Sequence, residues 1–485
     1  MTHKGWINYY SSFMLRLGHI KAVVSFADVS ESSDPSELKH MLFDRLGEWK
    51  HTITCGASRR LQALLMDHYT SKTLTEQGLT YQEGKGLIGS DGKPVTEFAL
   101  QDLYIFDEKM PSNLGTLTRK NFEEIVKWAT SLGLLERETY RLTPKGLLLR
   151  RLIQEKGEIE SFERFSIGRN PYILDDEKIL FLYVLLDQDG YVLRRLLPKL
   201  QNETQGEFDS SLGGEILCHV LREIYETEHL DYEDWLSLQQ LVSNLQKQIS
   251  REREVRELRS KAELCEEEYK KKRELFEEAE RRGDPELRKI EHEMYDCHMK
   301  MQDAHEELGK ASRGIARVGV KEMRASPRLE LLVDLGLLSK KKGVEDRRGQ
   351  YHYYLNDQTR RFTERISSVG DIGHFLRSSF FDFVNYIYAY DASRTSDDRD
   401  IVTQLSNGYD AMKNPFGLAE IEDAVLFAVI SQLGSRKSFF EIEDATETLK
   451  RVSGQRPRAI STHVDSYGQI RTFALRKSEL GPLQT

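Results

Sequence analysis

The sequence predicts a mainly α chain with small β-wings, and three observations lead there. Two stretches end an amphipathic helix at a glycine and pass at once into a short strand, a polar turn and a second strand: Trp128-Ala-Thr-Ser-Leu-Gly-Leu-Leu135 and Leu332-Val-Asp-Leu-Gly-Leu-Leu338. Between them the chain runs from Tyr232 to Arg282 without Pro or Gly, enough for roughly 75 Å of helix. The basic residues are segregated: nine Lys/Arg stand against five Asp/Glu in 112–156, twelve against six in 313–361, and nine against five in 436–477.

Composition narrows the class. A chain of 485 residues exceeds one core and implies roughly three to five domains. Hydrophobic residues make up 39% and charged residues 31%, as expected where part of the chain is solvated helix. The longest apolar run, Ile179 to Leu186, falls far short of the roughly 20 residues of a membrane span. No sustained apolar stretch follows Lys4, so no signal peptide is expected. Cys55, Cys218, Cys265 and Cys297 lack metal-ligand spacing and read as reduced thiols of a cytoplasmic protein. The net charge is −9, yet the three basic windows carry +4, +6 and +4. Local positive patches on an acidic body suit a selective DNA binder, because phosphate contacts are local.

Residues 1–100 read as an α+β region of unknown role. Alternation from His19 to Val29 suggests a strand, and Glu83 to Pro94 suggests turns or a hairpin. That segment lacks GxxxxGK[ST] spacing, so it is no phosphate loop. His19-Ile-Lys21 begins an HxKxxxxD nuclease pattern, but Phe26 occupies the Asp position. Cys55-Gly-Ala-Ser-Arg-Arg60 sets a thiol beside cations, which would lower its pKa, yet Leu61 stands where a CxxxxxR phosphatase motif needs Arg.

Over 101–156, Thr118 can cap a helix whose stripe is Phe122, Ile125, Val126, Ala129 and Leu132, and Gly133 ends it. Leu134-Leu135 and Tyr140-Arg-Leu142 pair across Arg137-Glu-Thr139. Thr143-Pro144 starts the next helix with Pro at its first position, where the missing N–H does no harm. Helix then hairpin is the carboxyl half of a winged helix-turn-helix. Tyr140-Arg-Leu-Thr-Pro-Lys-Gly146 resembles the wing-to-helix passage of MarR- and PadR-like winged-helix regulators, over about 40 residues in all. The resemblance implies a DNA-reading module, with Arg119 and Lys120 at the start of its recognition helix and Lys127 farther along.

Residues 157–230 read as a helical packing domain or a degenerate helix-turn-helix. Asp175-Asp-Glu177 precedes a helix that is apolar nearly all round, and a second helix follows Gly190. Residues 231–312 read as a protruding antiparallel coiled-coil hairpin with its turn at 283–285. Val255, Leu258, Ala262, Cys265, Tyr269, Lys272, Phe276 and Ala279 recur at alternating three- and four-residue steps. Leu287, Ile290, Met294, Cys297, Met301, Ala304, Leu308 and Ala311 mirror them about Gly283, as an antiparallel pair requires. Cys265 and Cys297 fall one layer apart, so no disulfide is expected, and His292, His298 and His305 lie off the core positions.

A second winged helix is expected over 313–360. Ser326-Pro327 would cap its helix, Leu329, Leu332, Val333 and Leu335 would face the core, and Leu337-Leu338 and Tyr351 to Leu355 would be strands. The wing between them, Ser339 to Gln350, carries Lys340, Lys341, Lys342, Arg347 and Arg348, which with Arg328 suit phosphate contact. Residues 361–485 hold a helical segment and a third winged helix. Its helices run from Ile421 and from Glu441 to Val452, its strands lie within Ala459 to Leu475, and Arg456, Arg458 and Arg471 lie near its wing. Asp391 to Asp400 reads as a mobile linker.

No nucleophile motif, ligand cluster or phosphate loop emerges, so no catalytic residue, metal or cofactor is expected. The sequence points to a non-catalytic DNA-binding scaffold or adaptor of a multi-protein prokaryotic assembly, in a phage-defence or restriction setting. Its winged helices would hold double-stranded DNA and its hairpin other protein subunits. Alternatives are a transcriptional regulator and a kleisin-like bridging subunit, which shares the layout of winged helices around a helical middle. Regulators rarely carry so long a hairpin, which favours the scaffold.

Overall fold

The computed structural model describes residues 7, 17–27, 80–82, 86–88, 119–155, 173–230, 232–312, 320–342, 351–466, 468–476 and 478. The chain is mainly helical. In chain order the helices are α1 (Leu17–Phe26), α2 (Arg119–Ser131), α3 (Pro144–Glu155), α4 (Asp175–Glu203), α5 (Ser210–Thr227), α6 (Tyr232–Arg282), α7 (Leu287–Ser312) and α8 (Val320–Asp334). There follow α9 (Asp357–Ile366), α10 (Ile372–Ser378), α11 (Phe380–Tyr388), α12 (Asp398–Met412), α13 (Ile421–Arg436) and α14 (Ile442–Gln455). The strands are β1 (Thr80–Gln82), β2 (Gly86–Ile88), β3 (Glu207–Asp209), β4 (Leu338–Lys342), β5 (Tyr351–Leu355), β6 (Ser393–Arg394), β7 (Ala419–Glu420), β8 (Ser438–Phe439), β9 (Ile460–Val464) and β10 (Ile470–Leu475). They form the pairs β1-β2 and β6-β8 and two three-stranded sheets, ordered β3-β5-β4 and β7-β10-β9. The chain divides into one unit of 1–216 with 324–485 and another of 217–323.

In the first unit α4 is the hub, because every residue from Ile179 to Leu186 is buried. Two buried ion pairs fix what lies against it. Lys21 of α1 meets Glu177 at 2.7 Å, and Arg328 of α8 meets Asp189 at 2.7 Å. Asp189 marks a kink (φ −128°, ψ 19°), so the two helices expected around Gly190 are one bent helix. The strand expected over His19 to Val29 is instead α1. Leu17, Ile20, Val23, Val24 and Ala27 are buried at helical steps, and Lys21 shares that face because Glu177 neutralises it.

Glycines end two helices as the sequence suggests. Gly133 and Gly336 have φ of +69° and +73°, a left-handed turn that costs glycine nothing. The strands expected after Gly133 shrink to a single bridge, Leu135↔Leu142, closed by Glu136 N–H donating to Arg141 O (2.9 Å). Thr143 Oγ1 accepts from Gly146 N–H (3.1 Å) and caps α3. A Cβ on Gly146 would stand 2.0 Å from Leu134 O, so this turn needs glycine.

Two expectations in the carboxyl half are corrected. Ser326-Pro327 lies inside α8, not at its start, because buried Ala325, Leu329 and Leu332 carry one stripe across the proline. Asp391 to Asp400 is a built connection rather than a linker. Ser393–Arg394 pairs with Ser438–Phe439, Arg394 grips Asp444 through two hydrogen bonds (2.8 and 2.9 Å), and Asp397 caps α12.

The largest departure concerns residues 157–230. Glu207, Phe208 and Asp209 pair with Tyr354, Tyr353 and His352, so β3 belongs to the sheet of β4 and β5 and not to a separate packing domain. The sequence gives little sign of this, because three residues are too few for a period and their partners lie far along the chain. Residues 217–323 are an insertion between β3 and β4.

That second unit is built on α6 and α7, which pack against each other antiparallel. Ion pairs Lys261–Glu307 (2.8 Å) and Lys272–Glu293 (2.5 Å) cross between them, and the Tyr269 and His298 rings lie 5.1 Å apart. These pairs keep mirror symmetry about Gly283 to within two residues. Ala262, Ala279 and Ala304 are buried, and the other spaced positions are buried or half-buried.

Two measurements check this architecture. Phe208 is 3% exposed and its ring stacks 5.6 Å from that of Tyr353. Phe208→Ala should therefore lower stability by about 3–4 kcal/mol in urea unfolding, and a cost under about 1 kcal/mol would detach β3 from the core. Glu441 is fully buried and accepts from Phe381 N–H (3.2 Å) and Asp382 N–H (2.9 Å), joining α11 to α14. Burial outweighs these hydrogen bonds and pushes its carboxyl up to about 7. Above the ordinary carboxyl range the unfolded chain releases this proton while the folded chain keeps it. Stability should thus be greatest below about pH 4.5 as far as this group is concerned, and fall by roughly 2–3 kcal/mol as pH rises to about 7. Glu441→Gln should abolish that slope; an unchanged slope assigns it to another group.

Candidate nucleic-acid interface

The cations nominated by the sequence separate by burial. In the first basic window, Lys127 is exposed on α2, while the side chains of Arg119 and Lys120 lie outside the described residues. Two neighbours are committed internally. Arg150 Nη1 donates to Ala27 O (2.9 Å), and Lys145 at the first turn of α3 lies between Asp423 (2.7 Å) and Glu422 at the first turn of α13. Burial alone would lower the Lys145 ammonium, but the two carboxylates outweigh it and hold it above the ordinary lysine range. Its Nζ also sits 5.1 Å from the centre of the Tyr183 ring. This cluster locks α3, α4 and α13 together.

The second window changes most. Arg328 is 2% exposed, and its guanidinium is occupied by Asp189 (2.7 and 3.2 Å), Arg324 O (3.0 Å) and Ile7 O (2.5 Å). Asp189 in turn accepts from Ile7 N–H (2.7 Å). The Lys340 side chain is only 3% exposed. Its Nζ lies 2.6 Å from Glu330 Oε1, which also accepts from the Tyr353 hydroxyl (2.7 Å). Neither Arg328 nor Lys340 reaches a phosphate from such a position, so both expectations are withdrawn. They fail for one reason: a carboxylate buried on a neighbouring element draws each cation inward, Asp189 of α4 for Arg328 and Glu330 of α8 for Lys340. Lys341 and Lys342 occupy β4, but their side chains, like Arg347 and Arg348, lie outside the described residues.

The third window exposes two of its three nominated cations. Arg458 and Arg471 are exposed and Arg456 is half-buried. β9 and β10 are joined by a tight turn in which Asp465 accepts from Gly468 N–H (3.0 Å) and Gln469 N–H (3.0 Å). The register slips between Ile470 and Thr472, which leaves Arg471 as the extra residue of a bulge, turned outward. Helix α14, which precedes this hairpin, exposes Lys450 and Arg451, the latter 2.5 Å from Asp398. Sequence reasoning passed over Lys450, an exposed cation near the end of the helix that precedes this hairpin. It also passed over Phe416, 90% exposed in the turn Asn414-Pro415-Phe416-Gly417, where Asn414 Oδ1 accepts from Phe416 N–H (2.9 Å) and Leu418 N–H (3.1 Å).

Among the described residues no group of three His, Cys, Asp or Glu is placed to hold a metal, and no helix is long and apolar enough to cross a membrane. A cleft of about 750 Å³ lies between α3, α12 and α13, lined by Arg151, Gln154, Asn407, Asp410 and Gln432 among others, a mixed set of amides and opposite charges. The Cys55 to Arg60 segment lies outside the described residues. Comparison with protein-family models, with curated proteins and with solved structures finds no match.

Lys340 allows a direct check of this sorting. Lys340→Ala would take an ion-pair partner from the buried Glu330 carboxylate, and should cost about 3–5 kcal/mol in stability. At temperatures where the variant stays folded, its duplex-DNA affinity should match wild type; a specific loss of affinity would return Lys340 to the interface.

Proposed function

We propose that the chain is a non-catalytic DNA-binding scaffold of a multi-protein assembly, built on winged helices, with α6 and α7 as the coiled-coil arm that docks a partner. One observation carries this reading. Both three-stranded sheets place the first strand of the set beside the third and the third beside the second, as β3-β5-β4 and β7-β10-β9. In each, helices separate the first strand from a closing antiparallel hairpin, the order strand, helix, helix, strand, strand of a winged helix. The arm would then be an insertion between the two helices of the middle module.

Within this reading the DNA contact centres on the carboxyl-terminal module. Its preceding helix exposes Lys450, Arg458 stands just before its hairpin and Arg471 within it. The inward turn of Arg328 and Lys340 favours protein docking over DNA contact for the middle module. A kleisin-like bridge would use the same parts, and a phage-defence or restriction setting remains the biological frame.

Gel-shift titration of duplex DNA at two salt concentrations tests the DNA contact. Each phosphate neutralised contributes about 0.9 to the log–log salt slope, so Arg458→Ala with Arg471→Ala should flatten it by about 1–2 and weaken binding alike on any duplex. Lys450→Ala should add to the loss. Wild-type affinity and slope in the double variant would sink the DNA reading of this module.

A further inference from the structure

At the start of the 217–323 unit three aromatic rings form a row. Tyr232 and Trp235 stand one turn apart on α6, their rings 6.4 Å apart and inclined by 21°. Tyr225 of α5 lies 5.5 Å from Trp235 at 30°. Tyr232 is 75% exposed, so its ring meets water rather than core. A ring already stacked on a neighbour is rigid and loses little entropy when something settles on it.

Acidic residues outnumber basic ones along this stretch of chain. Glu223 and Glu226 lie on α5, Glu228 just after it, and Glu233 and Asp234 in the first turn of α6, while Arg222 is held by Glu226 at 2.8 Å. Ring faces attract cations through their quadrupole, and carboxylates around them supply the longer-range pull. The same carboxylates repel a phosphate backbone, which sets this surface apart from any nucleic-acid contact. Tyrosine and tryptophan are also the side chains on which protein interfaces concentrate their binding energy.

We propose that Tyr225, Trp235 and Tyr232 are the docking platform for a basic, arginine-bearing segment of a partner protein. A planar guanidinium stacks on Tyr232 while its N–H groups reach the flanking carboxylates. A lysine ammonium gains the charge attraction but no flat stacking face. The proposal rests on the scaffold reading above and is independent of where DNA binds.

The test uses the full chain, with an oligo-arginine peptide and an oligo-lysine peptide of equal length as probes, followed by calorimetry at near-physiological salt. The oligo-arginine peptide should bind more tightly than the oligo-lysine, by roughly 2- to 5-fold for a partly exposed cation–π contact. Tyr232→Ala, which removes an exposed ring and should melt like wild type, should erase that preference. Trp235→Phe should keep the binding but lose the change in tryptophan emission. Equal affinity for the two peptides, or an arginine preference that survives Tyr232→Ala, would show attraction to a generally acidic chain and overturn the platform. A Tyr232→Ala variant that loses duplex DNA binding instead would overturn it as well. The salt-slope experiment on Arg458 and Arg471 can fail without touching this result.

Discussion

A helix with no polar face must be covered on every side, and α4 imposes that demand from Ile179 to Leu186. Fully burying each such side chain contributes about 1.5–3 kcal/mol, so the stretch is a large part of what holds the first unit together. Apolar contact does not choose which element lies on which side. The charges do: Glu177 takes Lys21 and Asp189 takes Arg328, each almost wholly out of water. Such pairs add little over an apolar replacement, but any arrangement that parts them strands a buried charge, so they exclude wrong packings. The Lys145 cluster does the same between α3 and α13.

What could be read in the sequence was what repeats over a short distance. The helix periods, the glycines at 133 and 336, the helix start at Thr143-Pro144 and the apolar spacing on either side of Gly283 are all local patterns. α1 was misread because a run of valines, alternating in part, imitates a strand, while its lysine hid a buried partner more than 150 residues away. β3 was missed because three residues carry no period. Pro327 was taken for a helix start because local propensity says so; the packing on both sides of it says otherwise.

The candidate interface was harder to read for a related reason. A count of Lys and Arg in a window does not say which of them already serve a carboxylate. Arg328, Lys340, Lys145 and Arg150 raised the positive balance of their windows, yet all four are spent inside the protein. Arg458 and Arg471 carried no stronger sequence signal. They differ in standing beside and within an edge hairpin, exposed to solvent, although Glu420 on the neighbouring strand lies close enough to Arg471 to feel its charge.

The pairing of β3 with β5 also sets an order in time. Roughly 140 residues separate the two strands, and at about 5–20 residues per second synthesis needs about 7–30 s to pass from one to the other. Through that interval β3 has no partner, and its three-residue length keeps it a poor template for foreign strands. The contacts between α6 and α7 are local and helical, and such contacts form in microseconds to milliseconds. The arm is therefore complete on the ribosome while the sheet it interrupts is still open.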